Sequence, residues 1–198
     1  IKNFGMVISG LGFMFTGINI LNSGVTYIRQ SEFVYKLFKN YGNNPLLGLV
    51  IGTITTMIIQ SSTATVGLTI VLFNSHMISL NGALGLILGD NIGTCITAQL
   101  ASIGTSIQAR RTAWSHTLYN IIGVFLAMLL LNPFAKLTEI ITGILGQDHT
   151  RLIANAHTVF NLLSALVFLP ITKYYVKFIE WIVPDRRSKR PKAFLKPE

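Results

Sequence analysis

Charge is what this sequence has least of: only 12% of its 198 residues are Asp, Glu, Lys or Arg, and 51% are hydrophobic. A soluble domain carries about 25% charged residues. The shortage of charge, together with a mean hydropathy of +0.55, excludes an ordinary soluble fold. The sequence predicts a multi-pass integral membrane protein of the all-α class, embedded in the lipid bilayer. At about 20 residues a span, the length suits four or five passes in one domain.

Cysteine and catalytic groups are also scarce. Cys95 is the only cysteine, so no disulfide can form within the chain. No nucleophile, base and acid occur at a useful spacing, so we expect no enzyme activity. A metal site would need more ligands than one thiol and two distant histidines, so we expect no cofactor. The apolar run at 1–20 lacks a clear signal-peptide cleavage site. Because the first residue is Ile and not Met, we expect a processed, truncated or excised chain.

The positive charge is unevenly placed. The net charge is +9, and six of the sixteen basic residues lie in 185–198, with Arg110 and Arg111 between two apolar runs. Lys and Arg gather beside spans on the cytoplasmic side of membrane proteins, so this distribution argues against nucleic acid as a partner. It predicts a transmembrane region over 1–184, an inside N-terminus and a basic cytoplasmic tail over 185–198. The tail is also suited to contact anionic lipid.

Long apolar runs occur at both ends of the chain. The run at 4–28 is long enough for one span, and the run at 152–183 predicts a long last helix, with a possible kink at Pro170. A further full span is expected over 112–131. We expect the segment 134–150 to be interfacial.

Four consecutive runs in the middle are too short to cross. A helix over 45–59, opened by a proline, would be about 22 Å long against roughly 30 Å of hydrocarbon. The other three runs cover 66–73, 80–88 and 92–103. They predict a re-entrant helical hairpin with its tip at 60–64, then a transmembrane helix broken at 89–91. Irregular backbone at membrane depth is tolerated only where it lines a cavity or is buried, and interrupted segments point to a transporter's substrate site.

The hairpin tip concentrates uncharged hydrogen-bonding groups. Its polar residues are Gln60, Ser61, Ser62, Thr63 and Thr65. Hydroxyls, amide nitrogen and the free N–H groups of a helix N-terminus bind oxyanions such as phosphate, and hydroxyl and carbonyl oxygens also suit sodium, a hard cation. The alternative is that these side chains only hydrogen-bond across helices and allow close packing. Their clustering at a helix break favours a binding site.

The second interruption contains a charge. Asp90 is the only acidic residue between Glu32 and Glu139, and an intramembrane carboxylate is a functional hypothesis by default. Three roles remain open for it: a place beside a cation, a proton carrier, or the cap of a helix beginning at Asn91. Asn91 and Thr94 add oxygen atoms, and Gly93 permits a tight backbone turn.

A short pattern occurs twice. His-Thr-apolar-aromatic-Asn stands at 116–120 and again at 157–161. A histidine and an asparagine four residues apart share a helix face. We expect structural hydrogen bonding from His116, Asn120, His157 and Asn161.

These motifs together resemble the sodium-dependent phosphate cotransporter family (type II) and its bacterial relatives. The segments that carry the resemblance read LLGLVIGTITTMIIQSSTATVGLTIVLF, LGLILGDNIGTCITAQLASIG, ARRTAWSHTLYNIIG and IANAHTVFN. The family has two inverted repeats with one such tip each. The resemblance implies a helical transporter repeat in which Gln60, Ser61, Ser62 and Thr63 contact phosphate or sodium, while Asn91, Gly93 and Thr94 line the second break. Sodium is then expected at Ser61, Ser62, Asn91 and Thr94.

The sequence departs from the family pattern in three places. Thr63 stands where the family tip has serine, Asp90 stands where a small residue is usual, and a single tip is present. The chain resembles the family's second repeat, so we expect either a homodimer or a missing first-repeat half. The expected function is sodium-coupled symport of inorganic phosphate across a bacterial cytoplasmic (inner) membrane. The alternatives are another oxyanion, coupling to protons through Asp90, or a non-transporting phosphate-binding membrane subunit.

Overall fold

The computed structural model describes residues 2–30, 32, 36 and 40–185. The helices whose limits it gives are α1 (Lys2–Gln30), α2 (Pro45–Ile59), α3 (Ser62–Asn74), α4 (Leu80–Gly93), α5 (Cys95–Ser102), α6 (Ile107–Leu129), α7 (Leu131–Ile144) and α8 (Leu152–Ile182). The short 3-10 turn His149–Arg151 precedes α8. No strand occurs among these described residues, which confirms the all-α prediction. The predicted basic tail lies outside them beyond position 185.

Three segments are long and apolar enough to cross a membrane: Phe4–Leu21, Leu80–Ser102 and His149–Ile182. A fourth crossing is possible if α6 and α7, which meet at 90°, form one bent span. The long predicted helices at both ends of the chain are confirmed, and Pro170 lies within α8. The expected interfacial segment after position 133 is mostly helix α7. The protein is an integral membrane protein built of helices.

Helices α2 and α3 form the predicted hairpin. The Asn44 side chain caps α2 by accepting hydrogen bonds from the N–H groups of Leu46 and Leu47, and Pro45 stands in the first turn. After the hairpin, the Ser79 N–H donates to the Gly42 carbonyl at 3.2 Å. This bond joins the segment before α2 to the segment after α3, so the hairpin enters and leaves at the same level.

The hairpin packs on α4 through glycines. The pairing of α2 with α4 is the most extensive helix contact in the described chain. A β-carbon on Gly52 would lie 2.1 Å from the Leu86 carbonyl oxygen, and one on Gly89 would lie 2.1 Å from the Leu49 carbonyl oxygen. Small residues allow this backbone-to-backbone approach between membrane helices.

The predicted break at Gly89, Asp90 and Asn91 is wrong in position. Helix α4 continues through all three residues to Gly93, and Thr94 keeps a right-handed helical backbone before α5. Asp90 is therefore not the cap of a helix beginning at Asn91. The physical reason is that the glycines of α4 provide contact with α2 instead of a turn. In the described chain, a bend of 90° falls at Leu130, between α6 and α7.

Helix α4 lies at the centre of the described core. Its side chains Leu84, Ile87 and Leu88 are at most 1% exposed and belong to one apolar cluster with residues of α3 and α8. Contacts with α2, α3, α6, α7 and α8 surround it. A polar group on this helix is therefore removed from bulk water unless a cavity reaches it.

Candidate functional site

The hairpin tip is formed by a backbone irregularity of two residues. Gln60 ends α2 in the left-handed region, with φ of +55°, and its N–H donates to the Thr56 carbonyl at 2.7 Å. Ser61 is extended, and its hydroxyl accepts from the Ala64 N–H at 3.3 Å, so it caps α3. The chain thus reverses without a loop, and the first N–H groups of α3 stand at the tip.

The polar side chains of the tip differ in exposure. Gln60 and Thr63 are exposed, Ser61 and Ser62 are half-buried, and Thr65 is buried. A ligand can therefore reach the first four of these side chains from outside the described fold. Thr65 points inward, one turn along α3.

A buried polar network begins at Thr65. The Thr56 hydroxyl of α2 lies 2.8 Å from the Thr65 hydroxyl of α3 and 2.9 Å from Oδ1 of Asp90 on α4. All three residues are at most 2% exposed. Because Thr56 has one hydroxyl hydrogen, it can donate to only one of these partners at a time. When it donates to Asp90, the Thr65 hydroxyl donates to Thr56.

One atom of this network has no hydrogen-bond partner among the residues that the structure describes. Oδ2 of Asp90 is buried without a hydrogen bond, and Nε2 of His157 on α8 lies 3.7 Å from it. An ionised carboxylate in apolar surroundings is costly unless a cation or further donors neutralise it. The arrangement therefore offers a cation-accepting oxygen between α4 and α8.

The remaining predicted residues bond within their own helix. The Asn91 amide donates to the Ile87 carbonyl at 2.9 Å, and the Thr94 hydroxyl donates to the Asp90 carbonyl at 2.9 Å. A β-carbon on Gly93 would lie 2.6 Å from the Thr53 carbonyl oxygen, so this glycine serves packing. Among the described hydrogen bonds, none joins Ser61 or Ser62 to Asn91 or Thr94. The four-residue sodium set stays a prediction.

Sequence reasoning missed Thr53 and Thr56 on α2 and the contact between His157 and Asp90. Thr56 and Thr53, whose hydroxyl donates to the Gly89 carbonyl at 3.1 Å, continue the face of α2 that carries Gly48 and Gly52. Gly48, Gly52 and Thr56 are four residues apart, about one helical turn, and this spacing was the signal from which sequence reasoning could have found Thr56. His157 was recognised, but only as a structural residue.

The two copies of the His-Thr-apolar-aromatic-Asn pattern agree in the hydrogen bond of their asparagine and differ in the exposure of their histidine. Asn120 and Asn161 each donate to the carbonyl of the histidine four residues earlier, at 3.0 Å and 2.8 Å. The structural hydrogen bonding expected of the two asparagines is therefore present. His116 is exposed, whereas His157 is half-buried against Asp90. The two histidines are not equivalent.

Within the described ranges, no three His, Cys, Asp or Glu residues lie close enough together to hold a metal ion. The Cys95 thiol instead accepts a hydrogen bond from the Asn120 amide at 3.4 Å.

A polar tip inside an apolar re-entrant hairpin, beside a buried carboxylate, is a feature of membrane transporters. The family profile described as Na+/Pi-cotransporter matches residues 24–146, and this chain belongs to that family. The family is one of phosphate transporters rather than enzymes, with sodium as the coupling ion. No solved structure matches the chain.

Curated relatives come from bacteria and animals. The chain is 31% identical over 189 residues to the "Uncharacterized protein YqeW" of Bacillus subtilis, covering 94% of this chain and 59% of that protein. It is 31% identical over 181 residues to the "Putative inorganic phosphate export protein YjbB" of Escherichia coli, covering 91% and 33%. It is 28% identical over 204 residues to the human "Sodium-dependent phosphate transport protein 2B", covering 97% and 29%. The chain thus spans about three fifths of the length of the Bacillus subtilis relative and a third or less of the other two.

Proposed function

We propose that this chain carries out sodium-coupled symport of inorganic phosphate, as one repeat of a transporter or as one protomer of a dimer. The observation that carries the proposal is the hairpin tip, whose hydroxyls stand at a helix N-terminus between two apolar helices. Membership of the Na+/Pi-cotransporter family supports the choice of phosphate and sodium.

The tip is suited to a small oxyanion. Ser61, Ser62 and Thr63 offer hydroxyl donors, and the Gln60 amide offers a further N–H donor. The first N–H groups of α3 carry the partial positive charge of a helix N-terminus. These groups replace part of the hydration shell of phosphate. The side chains of the tip carry no charge.

Sodium supplies the charge that the tip lacks. The oxygen atoms of Ser61 and Ser62 are hard ligands of the kind sodium prefers. A cation bound there offsets the negative charge of phosphate in a medium where an uncompensated ion is costly. Phosphate and sodium then bind more tightly together than apart, which is the thermodynamic basis of symport.

A complete site requires a second tip in this proposal. The described chain contains one hairpin tip, and a phosphate has more acceptor positions than one tip can satisfy. The second tip comes either from another copy of this chain or from another repeat of a longer polypeptide. The coverage of the relatives, from 29% to 59% of their lengths, is compatible with both.

We infer that the membrane is the bacterial cytoplasmic membrane, an inference supported by the relatives in Bacillus subtilis and Escherichia coli. The direction of transport is set by the gradients rather than by the protein, because a symporter is reversible. The Escherichia coli relative is named for phosphate export. The same tip therefore supports uptake or export.

The test is labelled-phosphate transport in liposomes containing this chain, with an inward sodium gradient and a matched potassium gradient. We expect phosphate accumulation with sodium and none with potassium, and efflux when the sodium gradient is reversed. Unlabelled sulfate in excess serves as the competitor that distinguishes phosphate from oxyanions in general. Equal phosphate movement with sodium and potassium would contradict sodium coupling. If the chain is inactive, phosphate binding by the solubilised chain separates a half-site from a wrong substrate.

A further inference from the structure

A groove of about 600 Å³ lies between α6 and α8, and its described lining residues all belong to these two helices. The helices run antiparallel there. Arg111 of α6 is bonded to Glu180 of α8, and one turn further along α6 the Ser115 carbonyl accepts a hydrogen bond from the Tyr175 hydroxyl at 2.6 Å. Sites for small molecules have volumes of about 300–1,000 Å³. The groove is therefore large enough for a ligand, and it is separate from the hairpin tip.

The floor of this groove is aromatic. The ring of Phe168 lies 4.7 Å from the ring of Tyr119 and 5.1 Å from the ring of Tyr175, centroid to centroid, both edge to face. Phe168 is buried, whereas Leu169 and Val176 at the rim are exposed. Phe168 also lines a second, apolar cavity of about 330 Å³ between α6, α7 and α8. A hydrocarbon chain can therefore lie along the floor and enter the second cavity.

Two opposite charges stand at one end of the groove. Nη1 of Arg111 donates to Oε1 of Glu180 at 3.1 Å, and Nε of Arg111 donates to the Val183 carbonyl at 3.1 Å. A guanidinium has more N–H groups than these two bonds use, and a carboxylate accepts more than one hydrogen bond. The Glu180 side chain is 50% exposed. This end therefore offers donors to an anion and an acceptor to a cation of the same ligand.

The charged end lies at the level of the membrane surface. Trp114 follows Arg111 by one turn, Trp181 is next to Glu180, and both tryptophans are exposed. Exposed Trp gathers at the membrane–water interface. Gly123, which lines the second cavity, is about 18 Å from Arg111 along α6 at 1.5 Å per residue. This distance is close to half of the roughly 30 Å hydrocarbon core. The groove thus runs from the headgroup region to the depth of one leaflet.

We propose that this groove binds one phospholipid whose headgroup has both a phosphate and a primary ammonium, as in phosphatidylethanolamine. The phosphate accepts hydrogen bonds from Arg111, the ammonium donates to Glu180, and one acyl chain lies on Phe168. The bound lipid holds the start of α6 to the end of α8. The proposal concerns a ligand that the tip does not bind, and it does not depend on phosphate being the transported ion.

The pair of charges selects among lipid headgroups. Phosphatidylglycerol has no cation for Glu180, and its negative charge would lie beside that carboxylate. Phosphatidylcholine has a cation, but its quaternary nitrogen has no N–H group to donate. Phosphatidylethanolamine alone of these three satisfies Arg111 and Glu180 with charge-assisted hydrogen bonds, which are stronger than neutral ones. The two other lipids are therefore matched controls for the ligand.

The experiment is native mass spectrometry of the delipidated chain in detergent, with an equimolar mixture of the three lipids that have identical acyl chains. We expect one phosphatidylethanolamine retained per chain, preferred about fivefold over each of the others, the upper range for a partly exposed ion pair. Equal retention of phosphatidylglycerol would mean that only positive charge attracts the lipid. Equal retention of phosphatidylcholine would mean that no ammonium N–H is recognised. Either result overturns the proposal, as does a chain without lipid, whether monomer or dimer.

Two pairs of variants test the groove itself. Glu180→Gln should lower the retention of phosphatidylethanolamine to that of phosphatidylcholine, whereas Glu139→Gln, which changes an exposed carboxylate on α7, should have no effect. If Glu180→Gln fails to fold, Val176→Trp fills the rim of the groove and should reduce the retention of all three lipids. Leu166→Trp is its control, because Leu166 is also exposed on α8 and lines neither cavity. Unchanged retention in Glu180→Gln or in Val176→Trp overturns the proposal, and neither result bears on phosphate transport.

Discussion

A β-carbon on Gly52 would stand 2.1 Å from the carbonyl oxygen of Leu86. Helix α2 therefore lies backbone to backbone on helix α4 at this point. The same close approach recurs at Gly48, Gly85 and Gly89. This contact holds the hairpin against the helix that carries Asp90, so it determines whether Thr56 can reach the carboxylate.

The first prediction concerns this glycine contact. Gly52→Ala should destabilise the protein by about 1–3 kcal/mol or more, because the neighbouring Leu86 carbonyl belongs to the backbone and cannot rotate away. Gly67→Ala on α3 is the control, since a β-carbon there meets nothing within 4 Å. That change should be neutral or slightly stabilising. The measurement is the thermal unfolding temperature in detergent, and equal effects of the two substitutions would contradict the packing described.

The second prediction concerns the central hydroxyl of the network. Thr56→Val keeps the side-chain shape but removes the donor to Asp90, so it should cost about 1–3 kcal/mol of stability. Thr56→Ser should restore most of the loss. Thr138→Val is a matched control, because Thr138 is also buried and its hydroxyl donates to the Phe134 carbonyl of its own helix. Denaturation in detergent compares the three variants, and a Thr56→Val protein no weaker than Thr138→Val would exclude an energetic role for the network.

The third prediction concerns pH at the start of α8. Asp148 accepts hydrogen bonds from the side chain and N–H of Thr150, and these bonds hold the pKa of Asp148 below its ordinary value of 3.8. A lowered pKa means that the charged cap stabilises the turn above the ordinary value and is lost as the pH falls through the folded-state pKa. Amide exchange at Thr150 should therefore accelerate at strongly acidic pH. Asp148→Asn, which keeps an acceptor oxygen, should abolish that acceleration.

Sequence reasoning located the hairpin and its tip because both depend on local features. Proline is favoured in the first turn of a helix, so Pro45 predicts the start of α2. An apolar run too short to cross the hydrocarbon core must turn back. The position of the break in α4 could not be obtained in this way. Glycines 85, 89 and 93 permit either a turn or a close helix contact, and only the partner helix decides between them.

In the candidate site too, local features could be predicted from the sequence, whereas contacts between distant helices could not. The tip residues were identified by their clustering along the chain, whereas the bond between Thr56 and Asp90 joins residues 34 positions apart. The role of His157 was missed for the same reason, because its proximity to Asp90 depends on how α8 packs against α4. Pairs so far apart become visible only when the helices are assembled.

The central claim is that the tip binds the transported ions, and one pair of serines tests it most directly. Ser61 caps α3 through the Ala64 N–H at 3.3 Å, and Ser106 caps α6 through the Ala109 N–H at the same 3.3 Å. Alanine at either position loses a cap of about 1 kcal/mol, so the two variants share the structural cost.

The measurement is sodium-dependent phosphate transport, or phosphate binding if the chain alone does not transport, for Ser61→Ala and Ser106→Ala side by side. We predict that Ser61→Ala loses at least about tenfold in apparent phosphate affinity, the equivalent of about 1.4 kcal/mol, while Ser106→Ala stays close to wild type. An equal, small effect of both substitutions would contradict the account, because it would show that Ser61 only caps a helix.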